Sequence, residues 1–252
     1  MIDIHCHIIP GVDDGAKDLA MAEKMLAAAA ADAIDTIICT PHSSGNPEQP
    51  RSEIIPQLQQ SAASWNITLL EGMEYSYQHL SRTTALKTLG NSSFLLIDFH
   101  RAPPLEAVNG IFFALARRGF QIIVAHPERS FRDLSDIEKL HHAGAYFQLS
   151  ADSFLGEWGR QPLNMAMRMF KHGLCHYIAS DAHGGNKMFH LRECRQLLSG
   201  YGGPNCIDTL MDENPCRLLK NQPPLKVLPE KRPATGFRRL IKFFAPRSEI
   251  RP

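Results

Sequence analysis

The first residues that could do chemistry are His5 and His7, two positions apart near the start of the chain. Alternate residues of a β-strand point to the same face, so both imidazoles could reach one metal ion. The loop that follows adds Asp13 and Asp14 before Gly15, and their carboxylates could serve a second ion. Asp-Asp-Gly is also ordinary turn chemistry, so the histidine pair needs further ligands before it indicates a metal centre.

Further ligand-type residues close five later apolar runs: Thr40-Pro41-His42, Glu71-Gly72-Met73-Glu74, Asp98, His126-Pro127-Glu128-Arg129 and Ser180-Asp181-Ala182-His183. A carboxylate at the end of an apolar strand, such as Asp98, is costly to bury unless it is paired or bound to metal. Convergence of these residues on one rim predicts a multinuclear centre. Histidine and carboxylate without cysteine suit Mn²⁺, Fe²⁺ or Zn²⁺, and an oxygen-rich set favours manganese. Cys6 is expected to point to the opposite face of its strand and is not counted.

Seven strand-like runs would position these residues, and they lie near 2–8, 34–40, 67–74, 93–99, 120–126, 145–150 and 176–180. Helical patterns between them cover 18–32, 49–65, 105–118, 135–143, 160–173 and 188–199. This alternation predicts an α/β fold with a mostly parallel sheet. Seven units without a GxGxxG turn favour a barrel, in which the carboxyl ends of the strands gather the functional loops.

The composition changes after residue 219. Residues 220–252 hold nine basic and two acidic side chains, whereas the preceding part holds 18 basic and 24 acidic ones. Six of the 17 prolines fall in 223–252, which favours an extended tail. Within the tail, apolar residues recur at helical spacing among basic ones: Phe237, Leu240, Ile241 and Phe244. This pattern predicts a short amphipathic helix that contacts a membrane or partner, or else docks on its own domain or on another copy.

The compartment follows from cysteine usage and hydropathy. The six cysteines are scattered with no C-x-x-C pair, which disfavours a secreted disulfide framework. Polar Asp3, His5 and His7 stand where a signal peptide would be apolar, and no run approaches the roughly 18–20 apolar residues that span a bilayer. We therefore expect a cytoplasmic protein, with the tail as a peripheral contact at the inner membrane face. The acidic body argues against a nucleic-acid partner.

The order of the motifs resembles the polymerase-and-histidinol-phosphatase (PHP) family. The matching elements are His-x-His, Asp-Asp-Gly, Thr-Pro-His, a glutamate after the third strand, an acid after the fourth, His-Pro-Glu-Arg and Ser-Asp-Ala-His. More narrowly, the start Met-Ile-Asp-Ile-His-Cys-His is similar to bacterial manganese-dependent tyrosine-protein phosphatases of capsular and exopolysaccharide synthesis. The resemblance covers about residues 1–219. It implies one domain, a distorted (β/α)₇ barrel with three metal ions, followed by the basic tail 220–252.

Carried onto this sequence, the resemblance implies nine metal ligands: His5, His7, Asp14, His42, Glu74, Asp98, His126, Asp181 and His183. Arg129 would bind the substrate phosphate, and His42 or His183 would protonate the leaving group. Two positions depart from the family pattern. Asp98 stands where a glutamate is expected, one methylene shorter, and Lys187 stands near where an arginine is expected. Lys187 is predicted to meet phosphate as a point charge and not as a bidentate fork.

The predicted reaction is hydrolysis of protein phosphotyrosine by a metal-activated water. None of the six cysteines has an arginine six positions later, so the C-x₅-R chemistry of cysteine-dependent tyrosine phosphatases is not expected. The resemblance implies a membrane-anchored bacterial tyrosine kinase as partner, and it suggests homo-oligomers. Two alternatives stay open: another PHP phosphoesterase such as histidinol-phosphate phosphatase, and a non-catalytic regulatory scaffold stabilised by metal.

Overall fold

The computed structural model describes residues 1–44, 51–80, 85–185 and 188–230. Within these ranges the strands are β1 (Ile2–Cys6), β2 (Thr36–Cys39), β3 (Thr68–Glu71), β4 (Glu74–Ser76), β5 (Phe94–Asp98), β6 (Gln121–Ala125), β7 (Ala145–Ser150) and β8 (Tyr177–Ala179). The helices are α1 (Leu19–Ala31), α2 (Arg51–Ala63), α3 (Tyr77–Leu80), α4 (Leu105–Arg117), α5 (Pro127–Ser130), α6 (Leu134–His142), α7 (Ala151–Leu155), α8 (Arg160–Lys171), α9 (Leu191–Gly202), α10 (Pro204–Asp208) and α11 (Asn214–Leu219). A 3₁₀ turn covers Leu89–Asn91, and a π-helical turn covers Thr209–Glu213.

The strands form two parallel sheets, one of β1-β2-β3 and one of β4-β5-β6-β7-β8. The predicted α/β fold with parallel strands is therefore confirmed. Isolated parallel bridges join the sheets, one between Cys6 and Ala182 and the other between His42 and Glu74. Through these bridges the carboxyl ends of β1 and β2 meet the other sheet, which brings the predicted ligand loops to one place. The seven-unit barrel itself stays a prediction.

The prediction of one strand over residues 67–74 is wrong, because the run divides at Gly72. A Cβ added to Gly72 would lie 2.8 Å from Ile38 Cγ2 and 2.9 Å from Leu89 Cδ2, so only glycine allows this close approach. The chain leaves the first sheet after β3 and enters the second as β4. Glu74 consequently begins a strand instead of ending one.

Buried apolar residues form two clusters. The larger one lies largely among residues of the helices and the strand faces that the helices cover. The smaller one gathers Ile4, Leu96, Ile123 and Tyr177 from four strands around Leu218 of α11. Since α11 supplies a fully buried side chain to this cluster, the residues 214–219 belong structurally to the domain that carries the predicted ligands.

The predicted helices agree with α1, α2, α4, α6, α8 and α9 to within a few residues at each end, whereas the short α5 and α7 were not predicted. Among the described residues, no helix is long and apolar enough to cross a membrane. The predicted amphipathic segment of the tail, and Lys187, lie outside the described residues.

Candidate metal centre

The structure brings all nine predicted ligands together in four overlapping groups. In each group the candidate donor atoms lie within 4.8 Å of one another. The groups are His7-Asp14-His42-His183, His5-His7-Glu74, His5-His126-Asp181 and Glu74-Asp98-His126. His5, His7, Glu74 and His126 each belong to two groups, so neighbouring sites would share ligands. Ligation of ions by these residues stays a prediction.

His5 and His7 lie at the middle of the centre, and both are fully buried. His5 Nδ1 lies 3.0 Å from Gln148 Oε1, and His7 Nδ1 lies 2.7 Å from Asp13 Oδ2. Because both partners are acceptors, each neutral imidazole donates from Nδ1 and carries its lone pair on Nε2. The two Nε2 atoms lie 3.2 Å apart, so two lone pairs converge on the same space.

Two buried carboxylates surround these lone pairs. His5 Nε2 lies 3.4 Å from Glu74 Oε1 and 3.3 Å from Asp181 Oδ1. Burial on its own raises the pKa of both carboxyls, but the neighbouring His5 and other cationic groups hold the pKa of each well below its usual range. Both carboxylates are therefore anions, and so many buried acceptors require positive charge between them.

The histidines show the same demand for positive charge. Burial lowers the pKa of His7, but hydrogen bonds to Asp13 and Asp181 outweigh burial and raise the pKa to about 10. Burial likewise lowers the pKa of His5, which Glu74 and Asp181 raise above its ordinary value. Protons can supply the charge when no metal is present. Divalent cations can replace these protons, because the same lone pairs and carboxylates are their preferred donors.

A buried nitrogen without a partner provides a direct test of fit. His126 Nε2 lies 3.0 Å from Glu74 Oε1, whereas His126 Nδ1 is buried and makes no hydrogen bond. That nitrogen lies 3.7 Å from Asp98 Oδ1, within the group Glu74-Asp98-His126. An orphaned buried nitrogen facing a carboxylate is costly in a bare protein and is what a metal site requires. The residues present therefore fit a bound cation.

The group His7-Asp14-His42-His183 forms the open side of the centre. His42 Nε2 lies 3.2 Å and His183 Nε2 lies 3.4 Å from Asp14 Oδ1, and the Asp14 side chain is 66% exposed. Burial and the charge of His7 lower the pKa of His183 to about 4. Burial also lowers the pKa of His42, but the contact with Glu74 raises it above the ordinary value. Of the two predicted proton donors, only His42 therefore has a pKa above that of free histidine.

Asp98 is shared between the centre and a rim histidine that was not predicted to take part. His100 Nδ1 lies 2.6 Å from Asp98 Oδ2, and the His100 backbone N–H donates to Asp98 Oδ1 at 2.9 Å. The His100 side chain is 64% exposed, which agrees with its expected surface position. The short Asp98 side chain is thus held at the rim through His100. The spacing Asp-x-His was the available signal.

Three residues at the centre have left-handed backbone conformations: His100 (φ 46°), His126 (φ 31°) and Asp181 (φ 57°). Such values are unfavourable for residues with a Cβ, by about 1–3 kcal/mol each, and they persist where the surroundings enforce them. His126 immediately precedes α5, and Asp181 follows β8. The turns therefore aim these side chains at the cost of local strain, which is typical of functional sites.

Arg129, the predicted phosphate ligand, lies at the edge of the centre. Its Nη2 donates to Asp181 Oδ2 at 2.5 Å, and its Nε is buried without a hydrogen bond. Its guanidinium Cζ lies 4.2 Å from the centroid of the Trp158 ring. Burial lowers the pKa of Arg129, but Asp181 and Glu128 outweigh this and raise it, so the side chain is cationic at all relevant pH values.

Several residues that support the centre were not assigned this role from the sequence. Asp13 accepts from His7, from the Gly15 N–H at 3.0 Å and from the His42 N–H at 2.9 Å, so it orients the loop that carries Asp14. Its partner Gly15 admits no side chain, because an added Cβ would lie 2.0 Å from the His7 carbonyl oxygen. The sequence offered the carboxylates of Asp13 and Asp14 together as possible ligands of a second ion, and the adjacent Asp-Asp-Gly did not show which of them would bind metal and which would support a ligand.

Asp3 and Gln148 complete this supporting layer. Asp3 accepts from the Ser180 N–H at 3.0 Å and from Ser180 Oγ at 2.5 Å, which fastens β1 to the end of β8. Burial raises the pKa of Asp3 to about 6 despite these hydrogen bonds. Asp3 is two positions before His5 on the same strand face, so the His-x-His pattern could have been extended to it. Gln148 lies inside an apolar strand, and a buried glutamine there was the overlooked signal.

The fold and the site together define a parallel α/β protein with a buried cluster of histidines and carboxylates that contains four overlapping candidate metal sites. The chain belongs to the CpsB/CapC family of capsular polysaccharide synthesis, whose sequence profile matches residues 1–220. The resemblance to capsule-associated bacterial tyrosine phosphatases is thereby confirmed.

Individual relatives agree with this assignment. The tyrosine-protein phosphatase YwqE of Bacillus subtilis is 32% identical over 258 residues, which cover 97% of this chain and 100% of YwqE. The tyrosine-protein phosphatase CpsB of Streptococcus pneumoniae is 25% identical over 88% of this chain and 99% of CpsB. A similar crystal structure comes from work on YwqE of Bacillus subtilis and CpsB of Streptococcus pneumoniae, which are described there as unique metal-dependent tyrosine phosphatases. It superposes on this chain with a TM-score of 0.81 and is 32% identical in sequence. The match covers 92% of this chain and 100% of that chain.

Proposed function

We propose that this chain is a metal-dependent protein-tyrosine phosphatase that acts in capsular or exopolysaccharide synthesis. The observation that carries the proposal is the set of four overlapping ligand groups with Arg129 at their edge. Family membership supports it, as do full-length relatives that are named tyrosine-protein phosphatases. The metal dependence stated for the similar crystal structure agrees with the buried lone pairs and carboxylates of the centre.

Bound metal ions supply two things to such a reaction: neutralisation of the phosphate charge and an activated water as nucleophile. The chain's own residues do the rest. Arg129 donates to non-bridging phosphate oxygens and stabilises the charge that develops on them. His42 lies on the open side of the centre, and it is the candidate proton donor to the departing tyrosyl oxygen in a centre where its ring does not bind an ion. Lys187, which lies outside the described residues, is proposed from the sequence as a second positive charge for the phosphate.

The finer features of the centre are part of the proposal. We expect three ions, with His5, His7, Asp14, His42, Glu74, Asp98, His126, Asp181 and His183 as ligands. Manganese is the expected metal, with Fe²⁺ or Zn²⁺ as alternatives, because the donors are nitrogen and oxygen with no sulfur. The bridges Cys6–Ala182 and His42–Glu74 support a distorted (β/α)₇ barrel over residues 1–219.

The proposed substrate is a phosphotyrosine protein, and a membrane-anchored tyrosine kinase of the capsule machinery is the expected partner. We place the protein in the cytoplasm, with the basic tail 220–252 as a peripheral contact at the inner membrane face. Loss of binding to anionic vesicles after deletion beyond Leu228, with peptide phosphatase activity retained, would support the tail's role. Equal vesicle binding by the truncated protein would refute it. Sedimentation of the full chain would show whether it forms the expected homo-oligomer.

The experiment that tests the activity is phosphate release from a phosphotyrosine peptide before and after chelation, alongside metal analysis. We expect activity that is lost on chelation, is restored by manganese and survives thiol alkylation. Alkylation is a fair control, because five of the six cysteines are buried and only Cys216 is exposed. Activity that survives chelation but not alkylation would refute the metal mechanism. Rates on histidinol phosphate under the same conditions separate a tyrosine phosphatase from the other PHP phosphoesterases.

A further inference from the structure

Trp158 packs its indole against the guanidinium of Arg129. The 4.2 Å separation between Arg129 Cζ and the ring centroid is within the range of a cation–π contact. Trp158 is 37% exposed, so its ring forms part of the surface beside the buried centre.

The segment that carries Trp158 is held by its backbone. Gly156 and Gly159 flank it with φ values of 85° and 83°, conformations that suit glycine. The Glu157 N–H donates to the Asp152 carbonyl at 3.0 Å, and the Gly159 N–H donates to the Gly156 carbonyl at 2.9 Å. The turn after α7 is thus a defined structure that presents the indole in one place.

A buried carboxylate ties this segment to α5, the short helix that carries Arg129. Glu128, the residue before Arg129, is fully buried and accepts from the Ser150 N–H at 3.0 Å and from Ser153 Oγ at 2.7 Å. Ser150 is the last residue of β7, and Ser153 lies in α7, the short helix that precedes the segment bearing Trp158. Glu128 thereby connects the helix that carries Arg129 to the helix that precedes Trp158.

The remaining contacts of Arg129 leave its orientation incompletely determined. Asp181 receives one hydrogen bond from Nη2, and Nε, although buried, donates none. A single contact at one end of a guanidinium allows the group to rotate, whereas a flat ring stacked on it restricts that rotation. We infer that Trp158 is a positioning residue for Arg129 that keeps its donors directed at the site where phosphate binds. The inference rests on the proposed function, because Arg129 is the phosphate ligand there.

The kinetic test compares Trp158→Leu with Trp158→Phe in the manganese-loaded protein. A cation–π contact contributes about 0.5–2 kcal/mol, so we expect kcat/KM on a phosphotyrosine peptide to fall about 2- to 30-fold in Trp158→Leu. The inhibition constant of inorganic phosphate should rise by a similar factor. Trp158→Phe keeps a ring and should stay within about threefold of wild type. Trp65→Leu is the matched control, since Trp65 is 45% exposed and lies before β3, at the opposite strand end from the ligand loops.

A double-mutant cycle distinguishes a positioning role of Trp158, which acts through Arg129, from a merely structural role. If Trp158 acts through Arg129, then Trp158→Leu should have no further effect in an Arg129→Ala background. An equal loss in both backgrounds would overturn the inference.

A fluorescence measurement needs no turnover. The chain has two tryptophans, so Trp65→Phe leaves Trp158 as the sole indole. Inorganic phosphate should quench its emission in the manganese-loaded protein, and Arg129→Ala should abolish the response. Tryptophan emission that does not change on addition of phosphate would overturn the inference. A change in emission in a protein that hydrolyses no phosphotyrosine would refute only the proposed function.

Discussion

The most informative single change is Asp13→Asn, which alters the support of a ligand without touching the ligand set. Burial raises the pKa of Asp13, but the hydrogen bond from His7 and the charge of His7 lower the pKa to about 2, so the group is a carboxylate at neutral pH. It lies 2.7 Å from His7 Nδ1. The amide keeps one accepting oxygen for the loop but removes the negative charge behind the imidazole.

The size of the effect follows from this contact. Removing a charged hydrogen-bond partner from a metal-ligating histidine lowers metal affinity about 10- to 100-fold, which equals about 1.4–2.7 kcal/mol. The loss of metal affinity in Asp13→Asn should lie near the lower end of this range, about 10-fold, because a neutral acceptor remains. Gln148→Leu removes a neutral acceptor from His5 and should cost a comparable amount. Both variants should fold normally, because neither Asp13 nor Gln148 belongs to one of the two apolar clusters.

The assay is manganese competition against a chelator of known affinity, followed by phosphotyrosine turnover at saturating metal. We expect weaker metal binding in both variants and partial recovery of kcat when manganese is in excess. Asp133→Asn is the matched control, because Asp133 is an exposed carboxylate that also accepts from a backbone N–H, that of Ser135 at 3.1 Å. Unchanged manganese affinity in Asp13→Asn, with normal thermal stability, would refute the reasoning that Asp13 sets the orientation and basicity of His7.

Three further predictions concern stability. Burial, with His141 and Lys226, lowers the pKa of His176 to about 3, so below pH 6.5 the unfolded chain takes up a proton that the folded chain refuses. His176 should therefore contribute a fall in the free energy of unfolding of about 1.4 kcal/mol per pH unit from 6.5 towards 3, and urea titration should show a slope that is smaller by this amount in His176→Asn. Leu218→Ala should cost about 2–5 kcal/mol of unfolding free energy by the same method, and a loss under 1 kcal/mol would contradict its place in the smaller cluster. Gly72→Ala should lower the melting temperature and weaken manganese binding together, because the added Cβ meets Ile38 and Leu89 and Gly72 lies two positions before Glu74. An unaltered melting temperature would count against the close approach.

The ligand loops could be located from the sequence because each ends an apolar run, and parallel strands end at a common edge. His42 and His183 illustrate this, since their apolar runs are separate in sequence and their imidazoles lie in one candidate ligand group in the structure. The division of the run 67–74 could not be read in this way. Whether Gly72 interrupts a strand depends on Ile38 and Leu89, which approach it only in the folded chain.

The supporting residues were less predictable than the ligands. Asp13 and Asp14 are adjacent and chemically identical, and only the fold shows that Asp13 meets His7 Nδ1 while Asp14 lies at the open side. Trp158 follows a helix of five residues, which is too short to show a periodic pattern in the sequence. The contact between Trp158 and Arg129 therefore could not be predicted from the sequence. Hydrophobic periodicity reports which face a residue occupies, and it does not report which distant loop lies beside it.

The hydrogen bonds between β1 and the loop after β8 can form only late in the synthesis of the chain. The Ser180 N–H and Asp3 Oδ1 meet across 177 positions, and the Asp181 N–H donates to the His5 carbonyl at 2.9 Å. Residues 3–7 therefore leave the ribosome long before their partners exist, and closing so long a loop is slow. Two of the four candidate groups, His5-His7-Glu74 and Glu74-Asp98-His126, need no residue beyond position 126. The other two need Asp181 or His183, so the complete centre can form only after the polypeptide has been made through β8 and has folded back onto β1.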